Sequence, residues 1–213
     1  MYTMAKSNLA MPHILKWEGG YSNNPNDKGG CTMKGVTIAT YRQYYGNNKT
    51  CNDLKKITDN EWLHIFEEGY WNPCKGTNIK NQSVANIIVD WAWNSGVKTV
   101  IKKVQKILKV ETDGFIGNIT LKALNEFNQA ELFKEIYLAR VDHYINICEK
   151  DPSQKEFLEG WMNRINDFVF TENEIPTNEE INKQEEIKNE GYEEVKKHFT
   201  DIMFDLSRAY LYK

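Results

Sequence analysis

The chain has 213 residues, 40% of them hydrophobic and 12% aromatic, with a formal net charge of −3. That length supports one substantial core with a small appendage, and no apolar run is long enough to cross a bilayer, which excludes an integral membrane segment. The beginning of the chain lacks the basic-then-apolar plan of a secretory signal, so synthesis in the cytoplasm is expected.

Cys31, Cys51, Cys74 and Cys148 lack CxxC spacing and the four histidines form no HExxH pattern, so neither a metal nor another cofactor is expected. Cys31 could pair with Cys51 or Cys74 in an oxidising compartment, although a reduced origin is the simpler expectation. Charge is uneven: residues 171–213 carry 11 acids against 6 bases, a net of −5 that leaves +2 for residues 1–170. The slightly basic body suits an anionic polymer.

The first predicted element is a helix over Leu9–Trp17, with Ile14 and Trp17 on its buried face and Lys16 outward. Gly19 and Gly20 are expected to end it through left-handed dihedrals. Glu18 then lies at the negative pole of the helix, beside Trp17 and Tyr21, two influences that favour its protonated form. A proton-donating carboxyl is what glycoside hydrolysis needs, together with a second group to direct water. Asp27 is the nearest candidate for that second role, followed by the hydroxyls of Thr32 and Thr37. Taken alone, Glu18 reads more readily as a solvated helix-end glutamate and Asp27 as a turn residue.

Thr58-Asp59-Asn60-Glu61 has the form of a capping box, predicting a helix that buries Trp62, Ile65 and Phe66 and delivers Tyr70 and Trp71 to a loop ended by Pro73. Ser83 can cap the next helix, apolar nearly all round from Val84 to Trp93 and stopped by Gly96. Asp90 is an ionisable group on that helix and must be paired or functional, either as a buried strut or, with Asn94, as a lining of a binding cleft.

Val100, Ile101, Val104, Ile107 and Leu108 form one face of a helix from Lys98 to Lys109, opposite a lysine stripe. Such a stripe is usually a solvated face, and its rival reading is an anionic-polymer or nucleic-acid surface. Asp113-Gly114 marks a turn before a helix running through Phe127. Two more helices follow: Ala130–Lys150, and Ser153–Phe168 with Ser153 and Glu156 as its capping box. Arg140 and Arg164 are expected to bridge carboxylates or helix ends in the core, or to hold Asp90 or the catalytic loop. Residues 171–191 read as a solvated connector. Tyr192, Val195, Phe199, Ile202, Met203, Leu206 and Tyr210 then make an apolar helical face that must dock on the body or on another copy of the chain.

The stretch from Glu18-Gly19-Gly20-Tyr21 to Gly35-Val36-Thr37 resembles the signature of the glycoside hydrolase family 108 muramidases, also described as secretion-activator proteins. Tyr70-Trp71-Asn72-Pro73, the run from Val89 to Gly96 and the run from Gly160 to Asn166 are similar to that family's later landmarks, in the same order. The stretch Asp113 to Leu121, preceded by Gln105 and Leu108, resembles the DGxxGxxT element of peptidoglycan-binding modules. Together the likeness covers roughly residues 8–170.

The resemblance implies an all-α, lysozyme-like helical fold and peptidoglycan hydrolysis with Glu18 as catalytic acid. With it the chain divides into a catalytic region at 1–97 and a helical peptidoglycan-binding-like region at 98–170, while the tail at 171–213, an acidic connector with an amphipathic helix, lies outside the resemblance. The interval from Glu18 to Asp27 resembles the Glu, Asp, Thr arrangement of phage lysozymes, but Met33 stands at the threonine position, between Thr32 and Thr37. Tyr21, Tyr41, Tyr45 and Trp71 are candidates for stacking on sugars, with Thr32, Thr37, Asp90 and Asn94 as further substrate contacts. The expected partner is the glycan strand of peptidoglycan, not nucleic acid or a bilayer, reached by holin-type or specialised export. The rivals are a lytic transglycosylase and a non-catalytic wall-binding or phage structural protein.

Overall fold

The computed structural model describes residues 4–23 and 30–172; Asp27 and the amphipathic face of the C-terminal tail lie outside the described residues. Among the described residues the chain is all-α and lysozyme-like, with one two-stranded hairpin beside the first helix.

α1 (Ser7–Trp17) buries Ala10 and Ile14. It does not end through a left-handed glycine, since neither Gly19 nor Gly20 has positive φ; Glu18 itself leaves the helix in an extended conformation (φ −86°, ψ 136°). The chain next forms β1 (Thr32–Met33) and β2 (Val36–Thr37), antiparallel, with Met33 opposite Val36. The two residues between them, Lys34 and Gly35, both have positive φ (50° and 75°), as a tight two-residue hairpin turn requires. Strands of two residues have no room for polar–apolar alternation, so the pattern of the sequence does not announce them.

α2 (Ile38–Tyr45) starts at Thr37, whose hydroxyl accepts from the Thr40 amide. α3 (Cys51–Lys55) is joined to the entry of the hairpin by a Cys31–Cys51 disulfide, with a Cα–Cα distance of 5.9 Å. The reduced reading of that pair is thereby corrected, and Cys74 and Cys148 remain as buried thiols. α4 (Asp59–Phe66) opens with the expected capping box: Thr58 accepts from the Glu61 amide and Glu61 accepts from the Thr58 amide. A π-helical turn at Glu67–Trp71 continues α4.

α5 (Gln82–Ser95) is the central helix, buried from Ser83 to Ala92. Its cap is Asn81, which accepts from the Val84 amide, and not Ser83, whose hydroxyl instead meets Thr171. Gly96 (φ 83°) stops α5 as predicted, and α6 (Val97–Ile107) lays Val100, Ile101 and Val104 on it. α7 (Asn118–Glu126) follows the Asp113-Gly114 turn. α8 (Gln129–Lys150) is the longest helix among the described residues and packs on α5, α6 and α9 (Lys155–Asn166). α9 is reached through a 3-10 turn capped by Asp151, whose carboxylate accepts from Ser153; the proposed Ser153–Glu156 box does not form.

Among the described residues, thirty buried ones make the main core, centred on α5 and including Trp62, Phe66, Trp71 and Trp91. A smaller cluster between α8 and α9 holds Val141, Tyr144, Ile145, Leu158 and Ile165. No helix among the described residues is long and apolar enough to cross a membrane.

Candidate active site

The buried helix α5, the surface helix α9 and the hairpin converge on the end of α1. Glu18 Oε1 accepts two hydrogen bonds, from the Trp93 indole Nε1 and from Arg164 Nη1, each at 2.9 Å. The carboxyl is 15% exposed, which leaves it reachable from the surface while its orientation is fixed. Oε2 accepts from no described residue and faces the hairpin turn. A Cβ on Gly35 would lie 2.5 Å from Oε2 and 2.8 Å from Trp93, so this position is closed to any side chain on steric grounds as well as by its φ.

Each neighbour has its own support. Trp93 sits in an aromatic box of Trp62, Phe66 and Tyr70, with ring centroids 5.3, 6.1 and 4.7 Å away. Trp62 also donates its indole N–H to the Lys34 carbonyl at 2.9 Å, and Lys34 Nζ reaches Asp59 at 2.8 Å, so α4 holds the turn in place. The Tyr70 phenol is raised above its ordinary value by burial, then by the neighbouring Tyr44 and Glu18.

Arg164 connects Glu18 to a buried ionic junction. Its Nη2 donates to Asp90 Oδ1 at 2.6 Å and its Nε lies 3.1 Å from both Asp90 oxygens. Arg140 Nη2 donates to Asp90 Oδ2 at 2.6 Å. Asp90 is 1% exposed and Arg140 fully buried, its guanidinium 5.6 Å from the Phe168 ring centroid and 5.9 Å from that of Tyr144. Burial works against the Arg164 charge, but its bonds to Asp90 and Glu18 raise it above the ordinary arginine value. Two acids and two guanidiniums thus share one network, with Asp90 between the arginines.

The remaining candidates divide. Tyr21, Thr32 and Thr37 are half-buried on the chain just after Glu18, with Ser22 and Thr32 exchanging both backbone hydrogen bonds. Asn94 is exposed one turn beyond Asp90 and donates to its carbonyl. Tyr41 and Trp71, at 2% and 1% exposed, offer no face to a sugar; their expected stacking roles are corrected. Burial, then its donation to Glu61, pushes the Tyr41 phenol up to about 12, and Trp71 covers Gly76 and donates to Thr77. Tyr45 is half-buried and directs its hydroxyl to the Glu61 carbonyl. Asp90 spends both oxygens on arginines and cannot line a cleft.

Two residues of this site escape sequence reasoning, Trp93 and Gly35. A signal existed for the first: Trp91 and Trp93 are two apart on a helix and cannot share a face, so when Trp91 is core, Trp93 points elsewhere. Among the described residues no cluster of three or more His, Cys, Asp or Glu could hold a metal. A cavity of about 320 Å³ lined by Leu9, His13, Ser83, Asn86 and Phe168 shares no residue with Glu18's surroundings.

The glycosyl hydrolase 108 family matches residues 11–96, the segment from α1 to the end of α5, and a predicted peptidoglycan domain matches residues 99–166. The solved structure of Brucella abortus SagA is 31% identical, with a TM-score of 0.62 over 75% of this chain and 88% of that one. Comparison with curated proteins returned no match. The chain belongs to the glycosyl hydrolase 108 family. It is a glycoside hydrolase acting on peptidoglycan.

Proposed function

We propose that the chain is an N-acetylmuramidase that hydrolyses the β-1,4 bond between N-acetylmuramic acid and N-acetylglucosamine, with Glu18 as general acid. One observation carries this reading: Glu18 has one oxygen held by two donors, and the other turned to the hairpin with no described donor. In its acid form a carboxyl so arranged carries its proton on Oε2, the oxygen free to pass it to a glycosidic oxygen. As the bond lengthens, positive charge grows on the sugar ring while Glu18 becomes a carboxylate stabilised by Trp93 and Arg164 at Oε1.

Asp27 is assigned the second role, directing water or facing the oxocarbenium-like centre, with Thr32 or Thr37 assisting. Tyr21 and Asn94 are assigned to the sugar-binding rim. The enzyme is assigned to the bacterial wall, reached by holin-type or specialised export.

The test is mass spectrometry of soluble products from purified peptidoglycan treated with the wild-type chain and with Glu18→Gln. Reducing muramic-acid ends that vanish in the variant are the expected result. Anhydro ends would replace the reading with lytic transglycosylation. No release from several wall chemotypes by a folded wild-type chain would replace it with wall binding.

A further inference from the structure

Glu18 and Arg164 are 146 positions apart, and they belong to the two segments matched by different families. The second segment bears the description of a peptidoglycan domain, which by itself describes attachment to the wall. Yet α9 from that segment sends a guanidinium into the centre of the first one. We infer that Arg164 is a positioning residue for Glu18, so that the second segment completes the catalytic centre as well as any wall contact it makes; this rests on the muramidase reading above.

The geometry gives the reason for an arginine there. A guanidinium has five donors in a rigid fork, and Arg164 uses one edge on Asp90 while Nη1 remains for Glu18. A lysine reaching the same place could serve one carboxylate well, not both along fixed directions. Asp90 takes most of the contact with the guanidinium charge, which lets Arg164 act on Glu18 chiefly as a directed N–H donor. That donor fits Oε1 whether or not Oε2 carries a proton, so it can hold Glu18 through both halves of the proton transfer. Arg140, from α8, fixes Asp90 from the other side at 2.6 Å, so the orientation of Glu18 is set by a chain of contacts through α5, α8 and α9.

The charged and titratable groups around Glu18 define what a pH profile would sense. Arg164 faces it from α9, and Tyr70 from the π-helical turn. Behind Arg164 stand Asp90 on α5 and Arg140 on α8. On the hairpin, Lys34 is engaged by Asp59, and beside Glu18 on α1, Lys16 is paired with Asp167. Removing the charge of Asp90 is therefore the change that turns the Arg164 charge on Glu18, which disfavours its proton-donating form.

The experiment measures kcat and KM on purified peptidoglycan from pH 4 to 8 for the full chain, Arg164→Met, Arg164→Lys and Asp90→Asn, with thermal melts of each. Arg164→Met should lower kcat about 100-fold with KM changed less than about 3-fold, as expected for a lost preorganised donor, and Arg164→Lys should recover part of it. Asp90→Asn should move the alkaline limb of kcat to lower pH. A folded Arg164→Met within about 3-fold of wild-type kcat would overturn the inference. So would an unmoved limb in folded Asp90→Asn, which judges the case even if Arg164→Met does not fold. A wild-type chain that cleaves nothing removes the muramidase reading and this inference with it; a wild type silenced by Glu18→Gln but indifferent to Arg164 removes the inference alone.

Discussion

Two buried polar centres in this molecule are built on opposite plans. The ionic junction ties Asp90 to Arg140 and Arg164, partners 50 and 74 positions away, and extends to Glu18. The second centre is local and turns on an uncharged side chain: the buried Gln105 amide donates to Asp113 Oδ1, the Phe115 carbonyl and Thr120 Oγ1, and accepts from the Gly114 amide, all within 15 positions. One side chain there shapes the loop between α6 and α7, where Gly114 (φ 85°) packs its backbone on Lys98 and Lys102. The neutral amide builds a turn; the charges join elements that the chain order keeps apart. The difference follows from desolvation, since a buried ion is stable only with its partners present, whereas an amide loses less when one partner goes.

The largest expected effect tests that asymmetry. Arg140→Met leaves Asp90 with Arg164 alone in a dry site and should destabilise the fold by about 3–5 kcal/mol in urea unfolding. A loss under 1 kcal/mol would show that the junction is replaceable by packing. Gln105→Ala strands the buried Gly114 amide and opens a small void, so a loss of about 2–3 kcal/mol is expected, with amide exchange quickened between residues 113 and 120 and unchanged at α8. Exchange that quickens equally in both places would erase the distinction between a local and a global centre.

Acid should separate the two centres more gently. His143, beside Trp91 and Tyr144, is pushed down to about 4 by burial, then by Lys103, Arg140 and Lys150. The unfolded chain therefore takes up this proton first: stability is complete above about 6.5 and is lost as pH falls from there to about 4. His143→Gln should flatten the fall in melting temperature across that window, and a wild type with no fall there would contradict the assignment. At the Gln105 centre, Asp113 is held below its ordinary value by Gln105, then by the Phe115 amide. Its contribution is present above 3.8 and disappears only as pH drops through its lowered folded value, so Asp113→Asn should change the acid limb below that point and leave the upper window alone.

The sequence disclosed what short-range chemistry decides. The Thr58–Glu61 box, the Gly96 stop and the lysine-backed face of α6 all follow from residues within a turn or two of each other. Asp90, Arg140 and Arg164 were legible as a pairing problem because charges on apolar helices must find one another, although the bond from Arg164 to Glu18 could not be read from spacing. What escaped depends on which face is already taken. Tyr41 and Trp71 are aromatic like any sugar platform, but α4 and its π-helical turn bury them; Trp93 differs from Trp91 only in which side of α5 it occupies. The caps at Asn81 and Asp151 each lie two residues before the expected ones, since several neighbours could serve and packing chose among them.

The 146-position reach from Glu18 to Arg164 also sets an order in time. During synthesis Glu18 emerges first, Trp93 follows 75 positions later and the guanidinium partner 146 positions later. At ribosomal speeds of about 5–20 residues per second, that gap lasts roughly 7–30 seconds. Through that interval the nascent chain carries a carboxyl with no arginine to hold it, so the assembled site dates from the arrival of α9.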